Sequence, residues 1–107
     1  MNEISRKKIR LSALVDYQIN SIVSKELIKE KTGSVTLFAF DKGQGLSEHT
    51  VSFNAFVYVI QGEADIFISG RKHSLKAEDM IVMPKNKPHA LKANRRFKML
   101  LVMIKPG

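Results

Sequence analysis

The chain contains no cysteine in its 107 residues. This absence excludes a disulfide framework, a thiolate metal site and a cysteine nucleophile, and it is consistent with a reducing compartment. No apolar run approaches the roughly 18 residues that a membrane-spanning helix needs, and the basic start of the chain lacks the apolar stretch of a signal peptide. We therefore expect a soluble, cytoplasmic protein without a membrane partner.

Several catalytic patterns are missing as well. No serine lies in the context of a nucleophile elbow, and no pair of carboxylates has a recognisable catalytic spacing. Gly43, Gly45, Gly62 and Gly70 have the sequence context of turns. Because no helix start follows them, they do not predict a phosphate-binding loop.

Basic residues outnumber acidic residues by 18 to 10, which gives a net charge of +8 at pH 7. Such an excess can attract nucleic acid or an anionic ligand. The basic residues are spread along the chain, however, and no recognition helix, zinc finger or aromatic RNA-binding strand accompanies them. The pattern favours a solvated surface over a nucleic-acid interface, and it leaves a general preference for anions.

The sequence does contain a regular succession of short apolar segments separated by turn residues. Hydrophobic residues make up 44% of the chain, an ordinary composition for one globular domain. Strand signals recur about every 8–12 residues, which is typical of an all-β barrel or sandwich. The predicted strands cover residues 21–29, 34–40, a short stretch ending at 49, 55–60, 63–69, 73–76, 80–83, 89–92 and 97–104. A helix competes with the first strand, and Gln61-Gly62 predicts a turn.

The predicted organisation is a lead-in segment, residues 1–20, followed by a single barrel domain, residues 21–107. Leu11, Leu14 and Val15 give the lead-in segment one short apolar face, suited to a helical turn or an irregular cover. Several strands are apolar on both faces, so the outer face of the barrel needs a cover. A second sheet, the lead-in segment or another copy of the chain can supply it. We expect a homodimer, because small oligomers are mostly two-fold.

Two stretches about 40 residues apart resemble the paired motifs of the cupin family. Gly43, His49 and Gly62 have the spacing of the first motif, and Pro84 and His89 have the spacing of the second. The resemblance covers most of residues 34–104. It implies an all-β fold, the cupin-type double-stranded β-helix barrel, which is jelly-roll-like.

The resemblance also implies a metal site, from which this sequence departs. Cupins that bind a divalent transition metal (Fe, Mn, Ni or Zn) typically use two histidines and a glutamate of the first motif and one histidine of the second. Here the second histidine position is Val51 and the glutamate position is Ala55, which leaves His49 and His89 as metal ligands. Two imidazoles fall short of the three or four protein ligands usual for a stable site.

Residues two apart on a strand point to the same face. Val51, Phe53 and Ala55 therefore continue the face of His49 if the strand stays regular, and they make that face apolar. With His89 from the second motif, we expect a pocket lined by His49, Val51, Phe53, Ala55 and His89. The sequence favours a barrel that binds a small, anionic molecule in this pocket, with the usual metal site incomplete.

Two alternatives stay open. A metal-dependent enzyme of the oxygenase or isomerase type would use His49 and His89 with a non-standard third ligand, such as Glu48 or His73. Metal-free acid–base catalysis by one of the two histidines is the other alternative. The methionines lie beside aliphatic residues in the predicted strands and are interpreted as core filling.

Overall fold

A computed structural model describes residues 6–106 of the chain, so residues 1–5 of the expected lead-in segment and residue 107 of the expected barrel domain lie outside the described part. Within it, the regular structure is eight β-strands and one 3₁₀ turn, Leu11–Ala13. The strands are β1 (Ile22–Glu30), β2 (Gly33–Phe40), β3 (Gly45–His49), β4 (Asn54–Ile68), β5 (Arg71–Lys76), β6 (Met80–Met83), β7 (His89–Lys92) and β8 (Phe97–Ile104). The all-β prediction is confirmed. None of the helices in this range is long and apolar enough to cross a membrane.

All strand pairs are antiparallel, and β4 belongs to both halves of the barrel. Its first part lies between β8 and β6, in a sheet that continues from β8 to β2 and β1. Its second part lies between β5 and β7, in a sheet that continues from β7 to β3. The two sheets curl around a shared interior, and the 15-residue β4 connects them.

The predicted turn at Gln61-Gly62 is wrong, because β4 runs through both residues without a break. The pairing of β4 with β8 shifts register between Val59 and Gln61, which is a β-bulge. An extra residue changes which alternate side chains face inward. Val57 and Val59 are buried before the bulge and Ala64 after it, so both halves of β4 contribute to the core.

The helix that competed with the first strand is also absent, since β1 pairs with β2 along its length. The strand signal at 73–76 belongs to β5, which begins earlier, at Arg71, and pairs with β4. Residues 50–53 form a connection between β3 and β4 rather than a continuation of the strand that carries His49.

The core has two layers. The barrel interior is built on the stacked rings of Phe40 and Phe97, whose centroids are 4.5 Å apart. On the outer face, Leu37 and Ala39 of β2 are buried under Val15 and neighbouring residues of the lead-in segment. The lead-in segment therefore supplies part of the cover that the outer face was expected to need.

Polar contacts of Asp41 attach the lead-in segment to the barrel. The Asp41 carboxylate accepts a hydrogen bond from Arg96 Nε at 2.7 Å and another from the Asn20 backbone N–H at 2.7 Å. The Arg96 hydrogen bond is the main reason that the pKa of Asp41 lies below its usual range, and the Asn20 hydrogen bond adds to it. Arg96 also lies over the ring of Tyr17, 5.0 Å from its centroid. These contacts connect Tyr17 and Asn20 of the lead-in segment to the residue that follows β2 and the residue that precedes β8.

The bulge in β4 leads to a first prediction, which concerns Gly62. This residue has φ of +83°, and a Cβ added to it would lie 2.0 Å from the backbone oxygen of Arg96. Gly62→Ala should therefore lower the free energy of unfolding by both the cost of a left-handed backbone, about 1–2 kcal/mol, and the cost of displacing a neighbouring strand. We expect a total loss above about 3 kcal/mol in urea-induced unfolding.

Gly70→Ala is the matched control for this prediction. Gly70 has nearly the same φ, +81°, but a Cβ there would meet nothing within 4 Å. Gly70→Ala should therefore lower the free energy of unfolding only by the cost of the left-handed backbone, about 1–2 kcal/mol. Equal losses in the two variants would show that close approach of the strands at the bulge is not what selects glycine.

Candidate functional site

Two histidines face each other at the end of the second sheet. His49 is the last residue of β3, His89 is the first residue of β7, and the two are paired directly across the ladder. Side chains of directly paired residues lie on the same face of a sheet. The Nε2 atoms of the two rings are 3.2 Å apart, and the ring planes meet at 70°. The fold thus brings together two imidazoles that are 40 residues apart in the chain.

The hydrogen bonds of this pair assign its protons. His49 Nδ1 lies 2.8 Å from the backbone oxygen of Ser47, and since that oxygen only accepts, Nδ1 carries the proton. In a neutral His49 the Nε2 atom is then an acceptor, so His89 Nε2–H donates to it. The other nitrogen of His89, Nδ1, is buried and makes no hydrogen bond of good geometry, although the backbone of Lys87 lies close enough to raise the pKa of the ring.

The two rings differ in their exposure to solvent. His49 is exposed, whereas His89 is only 4% exposed. Burial is the main cause that lowers the pKa of His89, a positive charge on His49 lowers it further, and the backbone of Lys87 opposes both. Since two like charges at this distance repel strongly, a proton taken up by the pair disfavours a second one.

A narrow cavity of about 60 Å³ opens beside this pair. All five residues assigned to one pocket from the sequence line it: His49, Val51, Phe53, Ala55 and His89. The structural reason differs from the expected one. Val51 and Phe53 reach the cavity from the connection between β3 and β4, not from a continuous strand. The rest of the lining comes from Leu46, Met83, Leu91, Met99, Leu101 and Met103.

The three methionines are lining residues that the sequence analysis did not assign to the pocket. Met83 and Met103 are paired with Ala55 from its two sides, so the three residues form one row across β6, β4 and β8. Strand β8 is apolar at almost every position, which hides the alternation that would have shown which of its residues face inward. The order of strands was needed to find this row.

The divalent metal site implied by the resemblance does not fit the residues present. The 3.2 Å separation of the Nε2 atoms suits a shared ion, since bonds of about 2.05 Å would then meet at roughly 100°. Neither Glu48 nor His73, the candidates for a third ligand, lines the cavity. Among residues 6–106, no group of three or more His, Cys, Asp or Glu side chains is placed to hold a metal ion. We therefore derive no chemistry through a divalent ion.

A larger depression lies elsewhere on the surface. It measures about 810 Å³ and is lined largely by charged residues, including Lys42, Lys76 and Arg96. Arg96 is engaged by Asp41, and the depression is wide open to solvent. We take the smaller cavity as the candidate site, because convergent polar groups at an apolar cavity are the usual form of a binding pocket.

The position of His89 predicts a pH-dependent stability. An unfolded histidine titrates near pH 6.5, as an order-of-magnitude reference, and the pKa of native His89 lies lower. The stability that this difference provides is therefore complete above about pH 6.5 and is lost as the pH falls below it. In urea unfolding between about pH 7.5 and 5, the free energy of unfolding should fall with decreasing pH in the wild type. In His89→Gln it should fall less steeply, with a slope smaller by up to about 1.4 kcal/mol per pH unit. If the free energy of unfolding of the two proteins had the same pH dependence, burial of a neutral His89 would not be a source of stability.

Comparison with known proteins places this architecture in a family. The chain matches the Cupin_2 family, described as a cupin domain, over residues 36–105. A conserved protein of unknown function from Streptococcus pyogenes is 33% identical, with 95% of this chain and 90% of that chain covered and a TM-score of 0.91. A cupin superfamily protein from Desulfitobacterium hafniense is 29% identical, with coverage of 94% and 93% and a TM-score of 0.89.

A Cupin 2 conserved barrel domain protein from Leptotrichia buccalis is 35% identical, with a TM-score of 0.88. That alignment includes 91% of this chain but only 47% of the Leptotrichia buccalis protein. The search of curated proteins found no match. The family match extends over more than half of the chain and agrees with the observed barrel, so the chain belongs to the Cupin_2 family and is a small cupin.

Proposed function

We propose that this cupin binds a small carboxylic acid in the barrel cavity, with the carboxylate at His49 and His89 and the apolar part of the ligand inside. The observation that carries the proposal is the convergence of two imidazoles at one side of an otherwise apolar cavity. Apolar pockets with a few convergent polar groups are the usual form of small-molecule sites.

The histidine pair has the chemistry to recognise an anion. With one added proton, both Nε2 atoms become donors or share a positive charge, and a carboxylate accepts such hydrogen bonds well. His49 is exposed, so the polar head of a ligand can be reached from solvent. The net charge of +8 favours the approach of anions from a distance.

The volume of the cavity limits the ligand. About 60 Å³ has room for a few water-sized groups, which is far below the roughly 300–1,000 Å³ of a drug-sized site. The proposal is therefore a short-chain acid. Rotation of the unbranched methionine side chains is the simplest way to admit a longer chain.

A metal-dependent enzyme of the oxygenase or isomerase type is the second candidate. The observation in its favour is the separation of the two Nε2 atoms, which suits a shared ion. Against it stands the lining of the cavity, which contains no carboxylate, and a third ligand such as Glu48 or His73 would have to move into it. The acid-binding function requires no such rearrangement.

Ligand screening with cavity variants tests the proposal. We expect thermal-shift and calorimetric titration with straight-chain acids of two to six carbons to find binding that the corresponding amides lack. Ala55→Leu should weaken binding at least about tenfold, or about 1.4 kcal/mol, because its larger side chain occupies the cavity. His73→Ala, a change outside the cavity, should leave the affinity unchanged. Equal binding of acids and amides, or no effect of Ala55→Leu, would reject the proposal.

We also propose that the protein forms a homodimer through the outer face of the first sheet. The lead-in segment covers only part of this face, and Met80, Val82 and Ile104 remain 47%, 46% and 63% exposed. Tyr58 and Phe56, the strand partners of Met80 and Val82, extend the same apolar surface across β4, and Ile104 pairs with Asn54 on the other side of that strand. A two-fold interface brings the same surface of two copies together, so it would remove these apolar side chains from water in both.

Light scattering coupled to size-exclusion chromatography tests the dimer. The wild type should have twice the mass of one chain, and Val82→Glu should have the mass of a single chain, because it places a charge at the centre of the proposed interface. Ile19→Glu is the matched control, since Ile19 is an exposed apolar residue of the lead-in segment, 78% exposed. A monomeric wild type at micromolar concentration would contradict the proposal.

A further inference from the structure

The depression of about 810 Å³ lies away from the histidine cavity. Strand β8 runs from one to the other: Phe97, its first residue, pairs with Gly62 of the depression, and Met103 pairs with Ala55 of the cavity. The two linings have no residue in common. The volume lies within the roughly 300–1,000 Å³ that is typical of small-molecule sites, so the depression has room for a ligand of its own.

The lining of this depression is predominantly cationic. Four basic side chains and one carboxylate line it, namely Lys42, Lys76, Arg95, Arg96 and Glu63. The remaining lining residues carry no charge. We call this site the cationic depression. A concave surface with an excess of one sign of charge raises the local concentration of ions of the opposite sign.

Two aspartates close to the cationic depression are bound to other partners. Asp41 accepts its hydrogen bond from Arg96 through Nε–H, which is one of the five N–H donors of a guanidinium. Asp65 is only 9% exposed and accepts hydrogen bonds from Ser74 Oγ at 2.9 Å and from Asn94 Nδ2. Neither carboxylate lines the depression. Both instead fix residues that do, because Arg96 and Asn94 belong to the lining.

The loops that carry three of the four cations are joined by backbone hydrogen bonds. The Gly43 N–H donates to the Ala93 oxygen at 2.7 Å, and the Ala93 N–H donates to the Gln44 oxygen at 2.8 Å. This double contact joins the loop after β2, which carries Lys42, to the loop before β8, which carries both arginines. Because the backbone of both loops is fixed before a ligand arrives, less ordering free energy is lost on binding.

The one carboxylate of the lining is weakly held. Glu63 Oε2 lies 3.8 Å from Arg95 Nε, and the two side chains are 50% and 78% exposed. Ion pairs with this exposure contribute little to stability. Glu63 is also the strand partner of Lys76, so it lies among the cations that an anion would contact. An anion with more than one negative charge can therefore displace this carboxylate at small cost.

The kind of cation favours phosphate over a simple carboxylate. Arginine binds phosphate oxygens through two parallel hydrogen bonds, and lysine adds a point charge. Four cations around one depression suit a ligand with several negative charges better than a single carboxylate. Among residues 6–106, no aromatic side chain lines the depression, so it offers no surface on which a nucleobase could stack.

We propose that the cationic depression binds a diphosphate group, held by Lys42, Lys76, Arg95 and Arg96. The phosphates carry the binding, so free pyrophosphate and the diphosphate of a nucleotide bind with similar affinity. This site is separate from the proposed acid-binding cavity, because no residue belongs to both.

Calorimetric titration of the full chain with inorganic pyrophosphate, at low ionic strength and without divalent metal, tests the site. The wild type should bind one pyrophosphate per chain with a dissociation constant below about 100 μM. The double variant Lys42→Gln, Arg95→Gln should weaken binding at least about tenfold, because it removes two of the four cations. Glu63→Gln should tighten binding about twofold to fivefold, since it removes the competing carboxylate.

The double variant Lys29→Gln, Arg71→Gln is the matched control. Both residues are exposed and lie outside the depression, and their replacement lowers the net charge by the same amount. The long-range attraction of the protein for anions is therefore lowered equally in the two double variants. The control should bind pyrophosphate within about twofold of the wild type, since the four lining cations remain in place.

Three results would overturn the proposal. The first is the absence of saturable binding below about 1 mM pyrophosphate, which is the range of weak, non-specific attraction. The second is equal weakening in the two double variants, because net charge alone would then explain the binding. The third is binding of ADP more than about tenfold tighter than pyrophosphate, which would assign recognition to the nucleoside.

The variant Ala55→Leu separates this site from the acid-binding cavity. Its larger side chain fills the cavity lined by Ala55, which lies outside the cationic depression. It should therefore bind pyrophosphate as the wild type does. Loss of pyrophosphate binding in this variant would contradict the separation of the two sites, whereas failure of acid binding alone leaves the diphosphate site intact.

Discussion

The structure depends on one strand that hydrogen-bonds to four others. The first half of β4 lies between β6 and β8, and its second half lies between β5 and β7. A strand can serve two sheets in this way only if its inward-facing residues change parity between them, which the bulge before Gln61 achieves. The bulge in turn requires Gly62, because β8 approaches too closely for a side chain there.

The same strand sets the character of the cavity. Ala55 lies near the start of β4, with Met83 and Met103 beside it on the neighbouring strands. The facing sheet supplies His49 and His89 from the ends of β3 and β7. An uncompensated charge inside such a small apolar space would cost several kcal/mol as an order of magnitude. The interior therefore holds neutral groups, and the exposed ring of His49 is where charge is best tolerated.

The outer face of the first sheet carries apolar side chains that are unfavourable in water, so it needs a cover. The lead-in segment covers Leu37 and Ala39, and the Asp41 carboxylate holds its last turn against the barrel through Asn20 and Arg96. The cover stops before Val82 and Ile104. One side of the barrel is thus closed by the chain itself, and the remainder is left exposed in a single chain, where we propose that a second copy covers it.

The sequence by itself predicted the all-β fold and the strand positions to within a few residues, and the motif spacing picked out His49, Val51, Ala55 and His89, which line the cavity. These depend on local chemistry, such as β-branched segments, turn residues and the fixed distances from Gly43 to His49 and from Pro84 to His89. Only the tertiary structure decided that Gln61-Gly62 continues β4 just after a bulge and does not form a turn, because the pairing partners on both sides of β4 override local turn preference. It also decided that Met83 and Met103 flank Ala55, since strand order and register are long-range properties that apolar strands do not encode in their own pattern.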